Sequence, residues 1–163
     1  MTPSLVAWSK KEVWEKGIWH RISRIFLINS KGEILIQKRS IKKASLPGRW
    51  DQSAAGHVEE GETYEIAADR ELKEETGVSG VVLKKIGSFK SQEIDEADKI
   101  KNRFNTMYVG TYDGDVNLDP DEVSETRWIA PAELEVWMEK SPNDFTEGFL
   151  LSFRKFVSEW LTN

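Results

Sequence analysis

The stretch that most constrains this chain is residues 56–78, GHVEEGETYEIAADRELKEETGV. No Pro or Gly interrupts it between Gly61 and Gly77, Glu62-Thr63 makes the first turn acidic, and Gly77 stands where a left-handed cap closes a helix. At about 100° per residue, Tyr64, Ala67, Ala68, Glu74 and Glu75 fall within roughly 60° of Glu71 on the helical wheel. Glu62, Glu65, Asp69, Lys73 and Thr76 take the opposite face. A charge run on a helix is ordinarily its solvated face. This helix already has one, built by Glu65, Asp69 and Lys73, whereas Glu71, Glu74 and Glu75 share the side that carries Tyr64, Ala67 and Ala68 and should press on a core. Three carboxylates gathered there repel one another and lose hydration unless a cation sits among them. An all-oxygen cluster suits a hard divalent ion, Mg²⁺ or Mn²⁺, rather than zinc.

The bulk of the chain narrows the classes around that helix. Its 163 residues fit one domain, 1–163, with a core of its own. A net charge of −5 disfavours unspecific binding to nucleic acid or to an anionic membrane. The absence of Cys removes disulfides, thiolate metal sites and any thiol nucleophile together. The N-terminus shows no apolar segment of signal length and nothing approaches a membrane span, so a cytoplasmic enzyme is expected. A homodimer is the commonest assembly for such a protein.

Along the chain, residues 1–18 read as an N-terminal arm. Ser9-Lys10-Lys11-Glu12 is a capping box, Gly17 ends the short helix, and Trp8, Trp14 and Trp19 read as anchors onto the domain. IWHRISRIFLI and EILIQKR, around Asn29–Gly32, predict a hairpin. A loop from Lys42 to Arg49 then leads into WDQSAAGHV, a strand that delivers Gly56. VVLKKIGSFK reads as a strand, Ser91–Asn102 as a polar loop holding Glu93, Asp95, Glu96 and Asp98, and FNTMYVGTY as a strand in which Gly110 marks a bulge. DGDVNLDPDEVSE is acidic and turn-rich, but its Gly and closing Glu do not fall at EF-hand positions. ETRWIA is a last strand, and Pro131 starts a helix at its first position. Phe145, Phe149, Phe153, Phe156 and Trp160 recur at helical spacing, predicting an amphipathic C-terminal helix over 145–161 that belongs to the core. The order of elements describes a mixed α/β domain with helices covering a sheet.

Gly56, five residues, Glu62, seven residues, Arg70-Glu71-Leu72, one residue, Glu74-Glu75, one residue and Gly77-Val78 together resemble the full signature of the Nudix hydrolases. The similarity covers roughly residues 19–140. It implies an α/β/α sandwich with a mixed sheet and the 56–78 box at its centre. It further implies Mg²⁺ or Mn²⁺ held by Glu71 and Glu75, with Glu74 as ligand or activator of the water and the Gly56 carbonyl as a further ligand. Arg70 would orient a box carboxylate, Glu62 being one candidate. The general base would come from the box or from a loop outside it, where Glu122, Glu125, Glu93 and Glu96 are candidates. Arg39, beside Lys38, is a candidate grip for a substrate phosphate, and Trp50 either stacks on a base or packs in the core. The implied reaction is divalent-metal-dependent hydrolysis of a diphosphate linkage in a nucleoside diphosphate-linked or other organic diphosphate, by in-line attack of a metal-activated water.

The surroundings of the box also resemble isopentenyl-diphosphate isomerase and the hydrolases most like it, through the WHR opening, QKR, Pro47-Gly48, Trp50 and Gly56-His57. The isomerase carries a catalytic Cys immediately before this Gly-His, where this chain has Ala55. It binds a metal through several histidines and a downstream Glu. His20 and His57, the only histidines, fall at two of those positions. A third is replaced near Trp14, and Arg103–Met107 contains no carboxylate. Two lone histidines ordinarily serve structure; their coincidence with former ligand positions sets a vestigial or second metal site at His20 and His57 beside that reading. A double-bond shift has no thiol to run on here, whereas the hydrolase box is complete. A Nudix domain that only senses a metabolite would be expected to have lost box carboxylates, and this chain keeps all of them.

Overall fold

Residues 22–28, ISRIFLI, are apolar nearly throughout, which suits a strand covered on both faces. The computed structural model, which describes residues 8–94 and 98–162, makes that strand the hub. The strands are β1 (His20–Ile28), β2 (Ile34–Arg39), β3 (Trp50–Asp51), β4 (Ala54–His57), β5 (Lys84–Ile94), β6 (Ile100–Thr111) and β7 (Val123–Ile129). The helices are α1 (Lys10–Lys16), α2 (Tyr64–Thr76), α3 (Pro131–Lys140) and α4 (Glu147–Phe156). β1 runs parallel to β6, from His20↔Arg103 to Ile28↔Thr111, and antiparallel to β4, from Ile22↔His57 to Ile25↔Ala54. β6 continues into β5, and β2 pairs with β7 and β3, all antiparallel, so the sheet is mixed.

Side chains alternate across the sheet and divide the core in two. Ile25 and Leu27 of β1 meet Leu35, Tyr108 and, from α2, Ala68 and Leu72. Phe26 points the other way, to Ile34, Ile36, Met107 and Val109, under Leu134 and Met138 of α3 and Phe149, Phe153 and Phe156 of α4. Helices thus cover both faces, the expected α/β/α sandwich. The aromatic stripe is core, with Phe26 stacked on Phe156 at 4.6 Å between centroids. Its α-helical part is shorter than 145–161: Phe145 precedes the Thr146 cap, and Val157–Leu161 turns as a π-helix.

Caps set the helix limits. The Ser9–Glu12 box and left-handed Gly17 bound α1. Of the arm's tryptophans only Trp14 reaches the domain's cavity; Trp8 and Trp19 stay 43% and 44% exposed, and residues 1–7 lie outside the described residues. Thr63 caps α2 by accepting from Ile66 N, and Gly77 closes it at φ 72°. Thr76, which the helical wheel puts on the solvated face, is buried. Asn117 N–H donates to its carbonyl, so the acidic 113–122 loop covers that end of the helix, and Thr76 Oγ1 turns inward to donate to Leu72 O.

Four local expectations change for tertiary reasons. β1 and β2 share only the pair Ile28↔Ile34, because β2 spends its length on β7. WDQSAAGHV is two short strands, broken where Gln52 and Ser53 turn buried side chains into hydrogen bonds with Asp51 and Leu35. The register between β5 and β6 slips at Ile86, between Lys85 and Gly87, and not at Gly110; Gly110 is instead the place where Val81 and Leu83 come against β6. Most of Ser91–Asn102 is strand: β5 reaches Ile94 and β6 starts at Ile100, with Ser91, Glu93, Lys101 and Asn102 buried. Phe156→Ala should destabilise the fold by about 3–5 kcal/mol, read from urea unfolding; a loss below about 1 kcal/mol would mean that α4 is not part of the main core.

Candidate active site

The core-facing side of α2 brings its carboxylates against β4, and Arg70 organises them. Its guanidinium takes Glu62 with two bonds of 2.8 and 2.9 Å, donates to the His57 carbonyl at 2.9 Å and to Glu71 Oε1 at 2.9 Å, and lies 3.3 Å from Glu74. Arg70 holds the Glu62 carboxyl below the usual range, and that same bond drives Arg70 further up. Glu74, 56% exposed, stands at the rim of a cavity whose wall includes Glu71 and Glu75.

Glu75 is buried, its Oε2 accepting from Gln37 Nε2 at 3.0 Å and from the Ala55 amide at 3.1 Å. Burial pushes its carboxyl well above the usual range, and the neighbouring Glu71 and Asp51 charges push it further. Glu71 crosses β4 at Gly56, where a Cβ would lie 2.1 Å from its carboxyl carbon; only glycine admits this approach. Among the described residues no three His, Asp or Glu side chains stand as a ready-made metal cage. Glu71 and Glu74 are both held by Arg70 Nη1 and would have to release it. The donors nevertheless fit a hard divalent cation. They are all oxygen, one carboxylate is buried against like charge, and a cation among them would turn that repulsion into attraction.

The cavity, about 210 Å³, is also lined by Arg24, Arg39, Lys43, Lys101 and Arg103, with Asp51, Glu122 and Glu93 beside Arg39, Lys43 and Arg103. Arg39 donates to the Ser45 carbonyl and lies 3.6 Å from Asp51. Lys38 does not line the cavity, and Trp50 is no stacking platform: it is 5% exposed, set edge-on to Trp137 in the core. Of the base candidates, Glu122 lines the cavity, bonded to Lys43, and Glu93 lines it, 3.3 Å from Arg103. Glu125 sits on β7, half exposed beside Arg127, away from the cavity wall. Glu96 lies outside the described residues.

His20 and His57 come together, but as stacked rings 4.6 Å apart with 17° between their planes. The in-plane lone pairs of stacked rings run side by side and do not converge on one ion. Beside them stand the Trp14 ring, edge-on to His57, and the cations Lys101 and Arg103. Burial lowers His20 to about 4 and Arg103 and Lys101 add to the shift, so its ring is neutral, with Nδ1–H donating to the Ile18 carbonyl. In this arrangement the two rings offer no converged donors to the second metal expected at His20 and His57. Sequence reading missed Asp51, Gln37, Arg24, Lys43, Lys101 and Arg103. Two signals were there: Arg24 is the one charge in the apolar run 22–28, and Lys101 and Arg103 alternate at the end of a segment read as loop and just past it.

The NUDIX domain family matches residues 19–149. Over 156 residues the chain is 34% identical to an isopentenyl-diphosphate Delta-isomerase of Photorhabdus laumondii, covering 93% of this chain and 87% of that one. It is 37% identical to an uncharacterised Nudix hydrolase of Pseudomonas aeruginosa over 75% of this chain and 69% of the other. Among solved structures, the DR0079 protein of Deinococcus radiodurans superposes with a TM-score of 0.64 at 28% identity, covering 74% of this chain and 73% of that one. A MutT Nudix hydrolase of Burkholderia pseudomallei superposes at 0.67, covering 84% and 97%; at 22% identity it attests the fold alone. The chain belongs to the Nudix family and is a Nudix hydrolase, an enzyme of a class whose general chemistry is metal-dependent hydrolysis of pyrophosphate linkages. No helix among the described residues is long and apolar enough to cross a membrane.

The buried carboxyl predicts a sign for stability against pH. Glu75 holds its proton to a higher pH in the folded chain than in the unfolded one, so its contribution is complete in acid and is lost as pH rises through the folded value. In chelator at pH 8, Glu75→Gln should melt several degrees above the parent, at about 2–4 °C per kcal/mol, and the gain should shrink towards pH 4.5. Mg²⁺ should raise the parent's melting temperature more than the variant's. A variant that melts lower than the parent at pH 8 would contradict the buried like-charge cluster.

Proposed function

We propose that this protein hydrolyses a diphosphate linkage in a nucleoside diphosphate-linked or other organic diphosphate, using Mg²⁺ or Mn²⁺ and in-line attack of water at phosphorus. The observation that carries the reading is the buried Glu75 carboxylate beside Glu71, drawn across β4 at Gly56, in a cavity also lined by cationic side chains. Glu71, Glu74, Glu75 and the Gly56 carbonyl would hold the cation, which when bound supplies Lewis acidity and a more acidic water. Glu74, at the open rim, would act either as one of these ligands or as the group that takes a proton from water entering from solvent, with Glu122 and Glu93 as further carboxylates that line the cavity. Arg70, tied to Glu62 and the His57 carbonyl, would hold the box in place while Glu71 and Glu74 exchange its Nη1 for the cation. Arg39 and Lys43 supply charge opposite the carboxylates for the phosphoryl oxygens.

Several relatives are named isopentenyl-diphosphate isomerases, yet the position before Gly56-His57 is Ala55, a methyl group on the cavity wall with no proton to give. The stacked, unconverging histidines beside Lys101 and Arg103 also weigh against a second metal there. Hydrolysis is the reading these residues support. In a phosphate-release screen over nucleotide, dinucleotide, sugar-nucleotide and prenyl diphosphates, turnover should require Mg²⁺ or Mn²⁺ and stop with chelator. Glu74→Gln and Glu75→Gln should each reduce kcat by at least about 10²-fold while keeping the fold by circular dichroism. Undiminished turnover in both variants would defeat the assignment, and conversion of isopentenyl diphosphate without phosphate release would favour the isomerase.

A further inference from the structure

Arg24 is a buried cation without a carboxylate of its own. It is 3% exposed, and its hydrogen bonds go to neutral amides, Nε to Asn105 Oδ1 at 2.8 Å and Nη1 to Gln52 Oε1 at 3.2 Å. Nη2 lies against Gly148, where a Cβ would come within 2.7 Å of it. The carboxylates that act on Arg24 from further off are Asp51 and Glu93, and each has another cation beside it, Arg39 and Arg103 respectively. An uncompensated charge in the interior is costly, so such a group is retained most readily where a ligand brings the opposite charge.

The same part of the cavity has further unmet donors. Trp14 Nε1 and Arg103 Nε are buried with no partner, and both nitrogens can only donate. Lys101 adds charge from β6, its Nζ bonded to Ser45 Oγ and lying over the Trp14 ring. His20 Nε2 is unpartnered too, but as the lone-pair side of a neutral ring it accepts. A group that only accepts and carries negative charge answers this set, whereas a metal ion would be repelled. At about 210 Å³ the cavity is below the roughly 300–1,000 Å³ of pockets that engulf a drug-sized ligand, so it seats a compact anionic piece of a substrate, not the whole of one.

We propose that Arg24, Arg103 and the Trp14 indole form a seat for a phosphoryl group, on the β6 and α4 side of the cavity, distinct from the carboxylates that would hold a cation. This deepens the hydrolase reading and rests on it: the preferred substrates carry an anionic group beyond the linkage that is cut, as triphosphates and phosphorylated diphosphates do. The test is calorimetric titration of the full-length protein with inorganic pyrophosphate in chelator, over a series of salt concentrations. The parent should bind saturably and more weakly as salt rises. Arg24→Gln and Arg103→Gln should each bind about tenfold more weakly. If Arg24→Gln does not fold, Arg103→Gln and Trp14→Phe carry the test. No binding by the parent, or equal binding by parent and folded variants, overturns the seat; equal binding would place the anion on Arg39 and Lys43 instead. Glu75→Gln, without turnover, should still bind pyrophosphate. Failure of the seat and failure of the hydrolase reading are thus read from different experiments.

Discussion

The site depends on one guanidinium. Arg70 joins three pieces of chain that would otherwise be independent: the loop that precedes α2, through Glu62; β4, through the His57 carbonyl; and α2 itself, through Glu71 and Glu74. A planar fork with five donors can do this, and an ammonium on a flexible stem cannot, because the partners lie in different directions at fixed angles. The same contacts bring Glu71 over Gly56 and leave Glu75 to be held from β2 and β4 by Gln37 and Ala55. The helix supplies the carboxylates; Arg70 and the sheet aim them.

Charge in the cavity is sorted by strand order. β1 lies between β4 and β6. On one side β4 carries Gly56 and His57 against the acidic helix, and on the other the register His20↔Arg103 brings a cation to the same end of the sheet. Burial strips both charges of water and drives Glu75 up and Arg24 down, to about 10, and the like charges of Glu71 and Asp51 on the one and of Arg103 on the other add to it. Both shifts are relieved by a ligand that brings a cation to the one and an anion to the other. A diphosphate with its divalent cation has both.

Much of this was legible in the chain. The caps at Ser9, Gly17 and Gly77, the acidic stripe of α2 on its apolar side, and the aromatic stripe of α4 are local patterns whose physics acts within a few residues. The errors cluster where polar residues are buried. Ser91–Asn102 reads as loop because it is rich in hydrophilic residues, yet Glu93 and Lys101 sit on strands and line a polar cavity. Trp50 and Glu125 sit near the site in sequence, but strand pairing turns one into the core and the other to solvent.

The chain by itself determined the main helices, and the spacing of Arg70, Glu71, Glu74 and Glu75 carried the family resemblance that implies the reaction class, because periodicity, caps and spacing are properties of contiguous residues. Only the tertiary structure decided which charges face one another. Arg24, Arg39, Lys101 and Arg103 come from three strands and gain meaning through register, which no single segment encodes. The histidines show the same division: sequence placed two of them where ligands are expected, and the pairing of β1 with β4, with Arg103 beside them on β6, made them a stacked pair. Coulomb forces depend on distance in space, and distance in space is what folding alone sets.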